Sequence, residues 1–164
     1  MIVIMGRSYK SFALVLAVLA AAALSCARPD SVEQYVGTEQ REPNGLYRYS
    51  IDLSDSLATY DIIFYSRIDA GRQRMAEAVD FPLMVTWTSP SGQRYRETVY
   101  FDVRDEAKGS SFYTSQYIKP YRTGLVPVES GVWDMTVHVN AGNEVPGFRG
   151  LGVICRKHLS DGTR

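Results

Sequence analysis

The sequence predicts an all-β chain, an antiparallel β-sandwich of immunoglobulin-like or jelly-roll-like type. Three observations predict it. Seven short segments alternate apolar and polar residues from Leu46 onward. Turn formers fall between them. Tyrosine, a strand former, occurs 11 times in 164 residues.

The segments follow in order. "LYRYSIDL" opens the series, and "TYDIIFYSRI" places Tyr60, Ile62 and Phe64 on one face. "FPLMVTWTS" does the same for Leu83, Val85 and Trp87. "SPSG", with Pro90 and Gly92, is a turn. "QRYRETVYFDV" returns with Tyr95, Glu97, Val99 and Phe101 in phase, so 81–88 and 93–103 form a β-hairpin. "SFYTSQYI" is a further candidate. In "GVWDMTVHVN", Trp133, Met135, Val137 and Val139 alternate with polar residues. "NAGNEVPG" is a long turn. "FRGLGVICRKH" closes the series with Leu151, Val153 and Cys155 on one face. Two stretches stay open: 71–79 is a short helix or a loop, and "RDEAKGSS" is equally ambiguous.

The N-terminus departs from this pattern. Arg7 and Lys10 precede an apolar run from Phe12 to Leu24. A membrane-spanning helix needs roughly 20 apolar residues. The shorter run fits the core of a secretory signal behind a basic region. "MIVIM" before the charges leaves Met5 as an alternative start to Met1. Ala23-Leu24-Ser25-Cys26 then resembles a bacterial lipobox. Cleavage would leave Cys26 as the first residue, carrying diacylglycerol and an acyl chain such as palmitate. Several chains hold firmly, because each buried CH₂ contributes about 0.8 kcal/mol. The alternative is a plain secretory signal with Cys26 left as a thiol. The position of a rare cysteine favours lipidation. A Cys26–Cys155 disulfide is the other pairing two cysteines allow; it would tie the leader to the last strand and is disfavoured.

The domain plan is therefore 1–25 signal peptide, 26–45 lipidated N-terminus and flexible tether, and 46–164 β-sandwich. The tether reading rests on two prolines and two glycines among polar residues. From Cys26 onward the formal charge is near −2, with 16 basic and 18 acidic residues once Arg7 and Lys10 are removed from the totals. That balance carries no electrostatic footprint for nucleic acid. A chain of this size buries roughly two-thirds of its unfolded surface and needs no metal or disulfide to fold.

Catalytic motifs are not evident. His138 and His158 stand in no metal-ligand spacing, so no metal site is expected. Cys155 alternates with core residues, and buried thiols are usually inert. Asp52 with Asp55, and Asp102 with Asp105 and Glu106, are the paired carboxylates; strand ends and turns account for them. There is no GxSxG serine and no glycine-rich phosphate loop. Trp87 and Trp133 could stack on sugars, but both fall in phase with aliphatic neighbours and read as core anchors.

"YDIIFYSRID" (60–69), "FPLMVTWTSPSG" (81–92) and "SGVWDMTVHVNAGNEVPGFRGLGVICRK" (130–157) carry a family likeness. The chain resembles the gliding-motility lipoprotein GldH family over about residues 46–157. The resemblance implies an envelope lipoprotein of the outer membrane, facing the periplasm. It would be a non-enzymatic component of the gliding-motility machinery and its associated protein-secretion system. It implies no cofactor, no catalytic residue, a membrane anchor and other envelope proteins as partners. Loops such as 104–111 and 140–149, together with strand edges, are the expected contacts. A ligand- or glycan-binding lipoprotein module is the alternative.

Overall fold

A computed structural model describes residues 30–69, 80–103, 109–110, 114–139 and 147–159. The signal peptide, Cys26, the 71–79 stretch and most of the "RDEAKGSS" and "NAGNEVPG" stretches lie outside the described residues.

The described chain is all-β. Its strands are β1 (Ser31–Gly37), β2 (Leu46–Leu53), β3 (Ala58–Ile68), β4 (Phe81–Thr88), β5 (Arg94–Phe101), β6 (Gly109–Ser110), β7 (Ser115–Leu125), β8 (Gly131–Val139) and β9 (Phe148–Leu159). They form two sheets, β1-β9-β3-β7-β6 and β2-β8-β4-β5, with every neighbour antiparallel. Pairing runs first with last, second with next to last, and β3 with β7, while β4 and β5 close the tip. The chain is thus one long hairpin rolled into a sandwich. That pairing is the jelly-roll arrangement of the two expected architectures.

Alternation explains the core. Tyr47, Tyr49, Ile51 and Leu53 point inward from β2, and Leu83, Val85 and Trp87 from β4. Trp133, Met135, Val137 and Val139 do so from β8. The opposite wall comes from Tyr60, Ile62, Phe64 and Ile68 on β3, with Leu151, Val153 and Cys155 on β9. Two buried polar groups are tied down to β9. Tyr49 donates its hydroxyl to the Leu151 carbonyl at 2.7 Å, across the sheets, and Ser66 Oγ donates to the Gly150 carbonyl at 2.9 Å. Unmade, such bonds would cost about 1–3 kcal/mol each.

Two expectations are corrected. The 26–45 segment is not a tether throughout, because Ser31–Gly37 is a strand paired with Arg156–Gly150 of β9. An edge strand exposes much of its surface, so "SVEQYVG" can be polar and still complete a sheet. The "SFYTSQYI" strand also begins later and runs on to Leu125, through Pro120. A proline lacks the N–H that an interior strand needs. Among the described residues β6 covers only Ser115 and Gln116, which leaves β7 as the sheet edge at Pro120, beside a register shift in β3.

The sandwich has two unlike ends. Leu53 pairs with Gly131, Thr88 with Arg94, Ala58 with Leu159 and Ser31 with Arg156. This end, the near end, receives the chain at Asp30 and carries the tight turns 54–57, 89–93 and 126–130. The 89–93 turn closes as expected: Ser89 N donates to the Gln93 carbonyl at 2.9 Å, and Gly92 takes φ 88°. At the far end, β1 is followed by 38–45, β3 by 69–80, β5 by 102–108, β6 by 111–114 and β8 by 140–147.

Candidate functional site

The two sheets are pinned together on their open side by four side chains. Because β5 is an edge strand, its inward residues Glu97 and Val99 are only half-buried. Facing it across the sandwich are Tyr121 and Arg122 of β7. Arg122 Nη2 donates to both Glu97 carboxylate oxygens, at 2.5 and 2.7 Å. Tyr121 donates its hydroxyl to the same carboxylate. Trp87 Nε1 donates to that hydroxyl at 2.9 Å. Tyr121 also stacks on Phe64, with centroids 4.8 Å apart. The Arg122 guanidinium lies 4.9 Å over the Tyr121 ring. Burial, then the Glu97 charge, pushes the Tyr121 phenol up, so it stays a neutral donor. The ion pair is partly exposed and contributes little stability alone. Its geometric effect is to close the mouth between β5 and β7.

Beside this closure, at the near end, is an apolar groove of about 210 Å³. Leu53, Tyr95, Leu125, Val126 and Val128 line it with the rims of Trp87 and Trp133. The indoles meet edge to face at 6.1 Å, and Tyr95 leans on Trp133 at 5.9 Å. Trp133 Nε1 donates to the Glu129 carbonyl at 2.9 Å. Both indole N–H groups are therefore used internally. The rings are 8% and 5% exposed, so neither offers a flat stacking platform.

A second hollow of about 160 Å³ lies between β1, β2 and β9, lined by Asp30, Val32, Asp52, Asp55, Tyr60, Cys155 and Lys157. Its charged groups build local structure. Asp52 Oδ1 accepts from Ser54 N at 3.0 Å, and Asp55 Oδ1 accepts from Leu57 N at 3.1 Å. Lys157 Nζ sits 2.7 Å from Asp55 Oδ2. The carboxylates expected as a pair thus shape the 52–57 turn. Burial pushes the Cys155 thiol up to about 11.

The remaining sequence candidates are separated in space. His158 Nε2 lies 2.8 Å from Asp61 Oδ2, at the exposed rim of β9 and β3. His138 is on the outward face of β8, between Leu46 and Met84. Asp102 follows β5, while Asp105 and Glu106 lie outside the described residues. Among the described residues, no three His, Cys, Asp or Glu side chains are placed to hold a metal ion. Among the same residues, no helix is long and apolar enough to cross a membrane.

Sequence reasoning missed the Glu97–Tyr121–Arg122–Trp87 closure. One signal was present: Glu97 is a charged residue in phase with the inward residues Tyr95, Val99 and Phe101. A carboxylate there needs a partner, and the partner is in the other sheet.

No protein-family model matches the chain, and no curated protein matches it. One similar solved structure is that of the empty head of turnip yellow mosaic virus. It is 10% identical, covers 84% of this chain and 87% of that one, and has a TM-score of 0.21. That likeness is too low to support an argument about fold or function.

Proposed function

We propose that the chain is a non-enzymatic, lipid-anchored protein of the cell envelope. It acts by protein–protein contact within a gliding-motility apparatus and its associated secretion system. The observation that carries this is the sequence Ala23-Leu24-Ser25-Cys26 behind a short apolar run, with the likeness to the GldH family over residues 46–157. The anchor is the lipidated Cys26, in the outer membrane and facing the periplasm. The sandwich supplies a rigid body whose far end lies opposite the point where the chain enters at Asp30. The proposed contact surfaces are segments 104–111 and 140–149, which follow the far-end termini of β5 and β8 in sequence.

The described acids and bases give local support to this reading. Asp52, Asp55, Asp61, Glu97 and Glu129 spend their oxygens on turns and strand pairing rather than on a shared cleft. A second reading, a ligand-binding lipoprotein, is favoured by the apolar groove. Its lining suits an apolar group better than a glycan, which needs polar partners as well as ring faces.

Deletion of the gene tests the proposal. Surface spreading and protein secretion should both fall, and a Cys26→Ala copy should fail to restore them. Unchanged behaviour in both assays after deletion would refute the role in motility and secretion.

A further inference from the structure

We infer that the near end of the sandwich rests against the bilayer surface, with the tips of its turns seated among the lipid headgroups. The inference rests on the lipidation of Cys26 proposed above, and three observations carry it.

The first is length. The Asp30 carbonyl accepts a hydrogen bond from Lys157 N at 2.7 Å, and Ser31 is already paired with Arg156. Cys26 is therefore no more than four peptide steps from the folded body. Four steps reach at most about 14 Å when fully extended. A flexible tether through residue 45 would have averaged about 25 Å end to end. The twelve-residue β9 alone measures about 40 Å. A body that long, on so short a leash, cannot turn its far end to the membrane.

The second is where the apolar surface lies. Among the described residues, nine large apolar side chains are exposed, and seven of them stand at the near end. Leu57, Val126 and Val128 are turn tips, 79%, 64% and 80% exposed. Leu159 ends β9, and Val132 flanks the last of these turns. Met84 and Tyr100 are the two elsewhere. Contiguous exposed apolar groups mark an interaction surface. The lipid on Cys26 places a bilayer within reach of this one.

The third is charge. Three near-end carboxylates are held by the protein's own donors: Asp52 by Ser54, Asp55 by Leu57 N and Lys157, and Glu129 by Ser91 at 2.7 Å. Bonds within the turns hold these acids while the apolar tips project. Docking of this kind needs no anionic lipid.

The test uses the mature lipidated protein in phosphatidylcholine vesicles. A fluorophore is attached at Val128→Cys or, separately, at Tyr100→Cys. The Cys26 sulfur is blocked by its thioether and Cys155 is buried, so each variant has one reactive thiol. Nitroxide carried on the lipid headgroup is the quencher. Strong quenching at position 128 and little at position 100 is expected. A label at Leu57→Cys should lose its quenching when Val126→Asp and Val128→Asp are added, which shows that the tips hold the end down. Equal quenching at 128 and 100, with Cys26 shown by mass to be lipidated, overturns the inference and leaves the anchor standing. Self-quenching between labels at 128 without lipid quenching overturns it in favour of a second copy. An unmodified Cys26 overturns the anchor and the inference with it.

Discussion

Gly152 offers a stringent test of how the five-stranded sheet is packed. It lies on β9 between Tyr35 of β1 and Tyr65 of β3, in register with both. The two rings close over it, stacked with centroids 5.7 Å apart, and the Arg67 guanidinium lies 5.0 Å over Tyr35. A Cβ at Gly152 would stand 2.1 Å from Tyr65 Cζ and 2.2 Å from Cε1. In an ordinary strand, Gly→Ala stabilises by about 0.5–1 kcal/mol. Here the methyl must displace a ring that is fully buried. Overpacking of that kind costs about 1–3 kcal/mol, and the ring stack, worth about 0.5–1.5 kcal/mol, is strained with it. Gly152→Ala should therefore destabilise the protein by about 1–2 kcal/mol. For a domain of this size that lowers Tm by about 3–10 °C. Urea unfolding followed by the fluorescence of Trp87 and Trp133 measures it. In a Tyr65→Ala background the obstacle is gone, and the same change should be neutral or stabilising. The reasoning fails if Gly152→Ala alone stabilises, or if it costs the same in both backgrounds.

Two other predictions concern ionisation. The Gly124 N–H, at 2.8 Å, and the His158 ring hold the Asp61 carboxyl below its ordinary value of 3.8. Its contribution is complete above that value, where the carboxylate is charged in both folded and unfolded chains. Below it the unfolded chain binds the proton first, so stability falls as pH drops toward the folded value. The urea midpoint should decline below about pH 4, and Asp61→Asn should make the decline shallower; an identical slope would refute the assignment. Cys155, with its thiol pushed up to about 11, should react with a disulfide reagent at pH 8 far more slowly in the native Cys26→Ala chain than in urea. Equal rates in the two states would show that the thiol is not buried.

Alternation made most of the strands legible because they bury one face and wet the other, although β3 is buried on both faces from Ile62 to Ser66. β1 was hidden for a physical reason: at the sheet margin only Gly37 is fully buried, so its composition resembles a linker. The second half of β7 was hidden behind Pro120, which is tolerable where, among the described residues, the strand has no outer neighbour. The "GLGV" segment was readable as a pattern but not as a cause. Gly150 takes φ 148°, and a Cβ there would stand 2.3 Å from the Val36 carbonyl oxygen, so β1 can lie close only against glycine. The mouth closure was half legible. Glu97 announces an inward charge, but Arg122 and Tyr121 are reached only once the hairpin is rolled and β7 is laid opposite β5.

The pairing of β1 with β9 sets how a load travels through this body. Traction on the N-terminus pulls along β1, parallel to the strand axis and across its ladder of seven residue pairs with β9. When the resisting contact is at the opposite pole, those pairs are strained together, in shear, instead of parting one after another like a zipper. β9 is bonded on its other side to β3, which passes the strain into the middle of the sheet. The strand that looks most like a leader is thus the one through which a pull would be shared by the whole sheet.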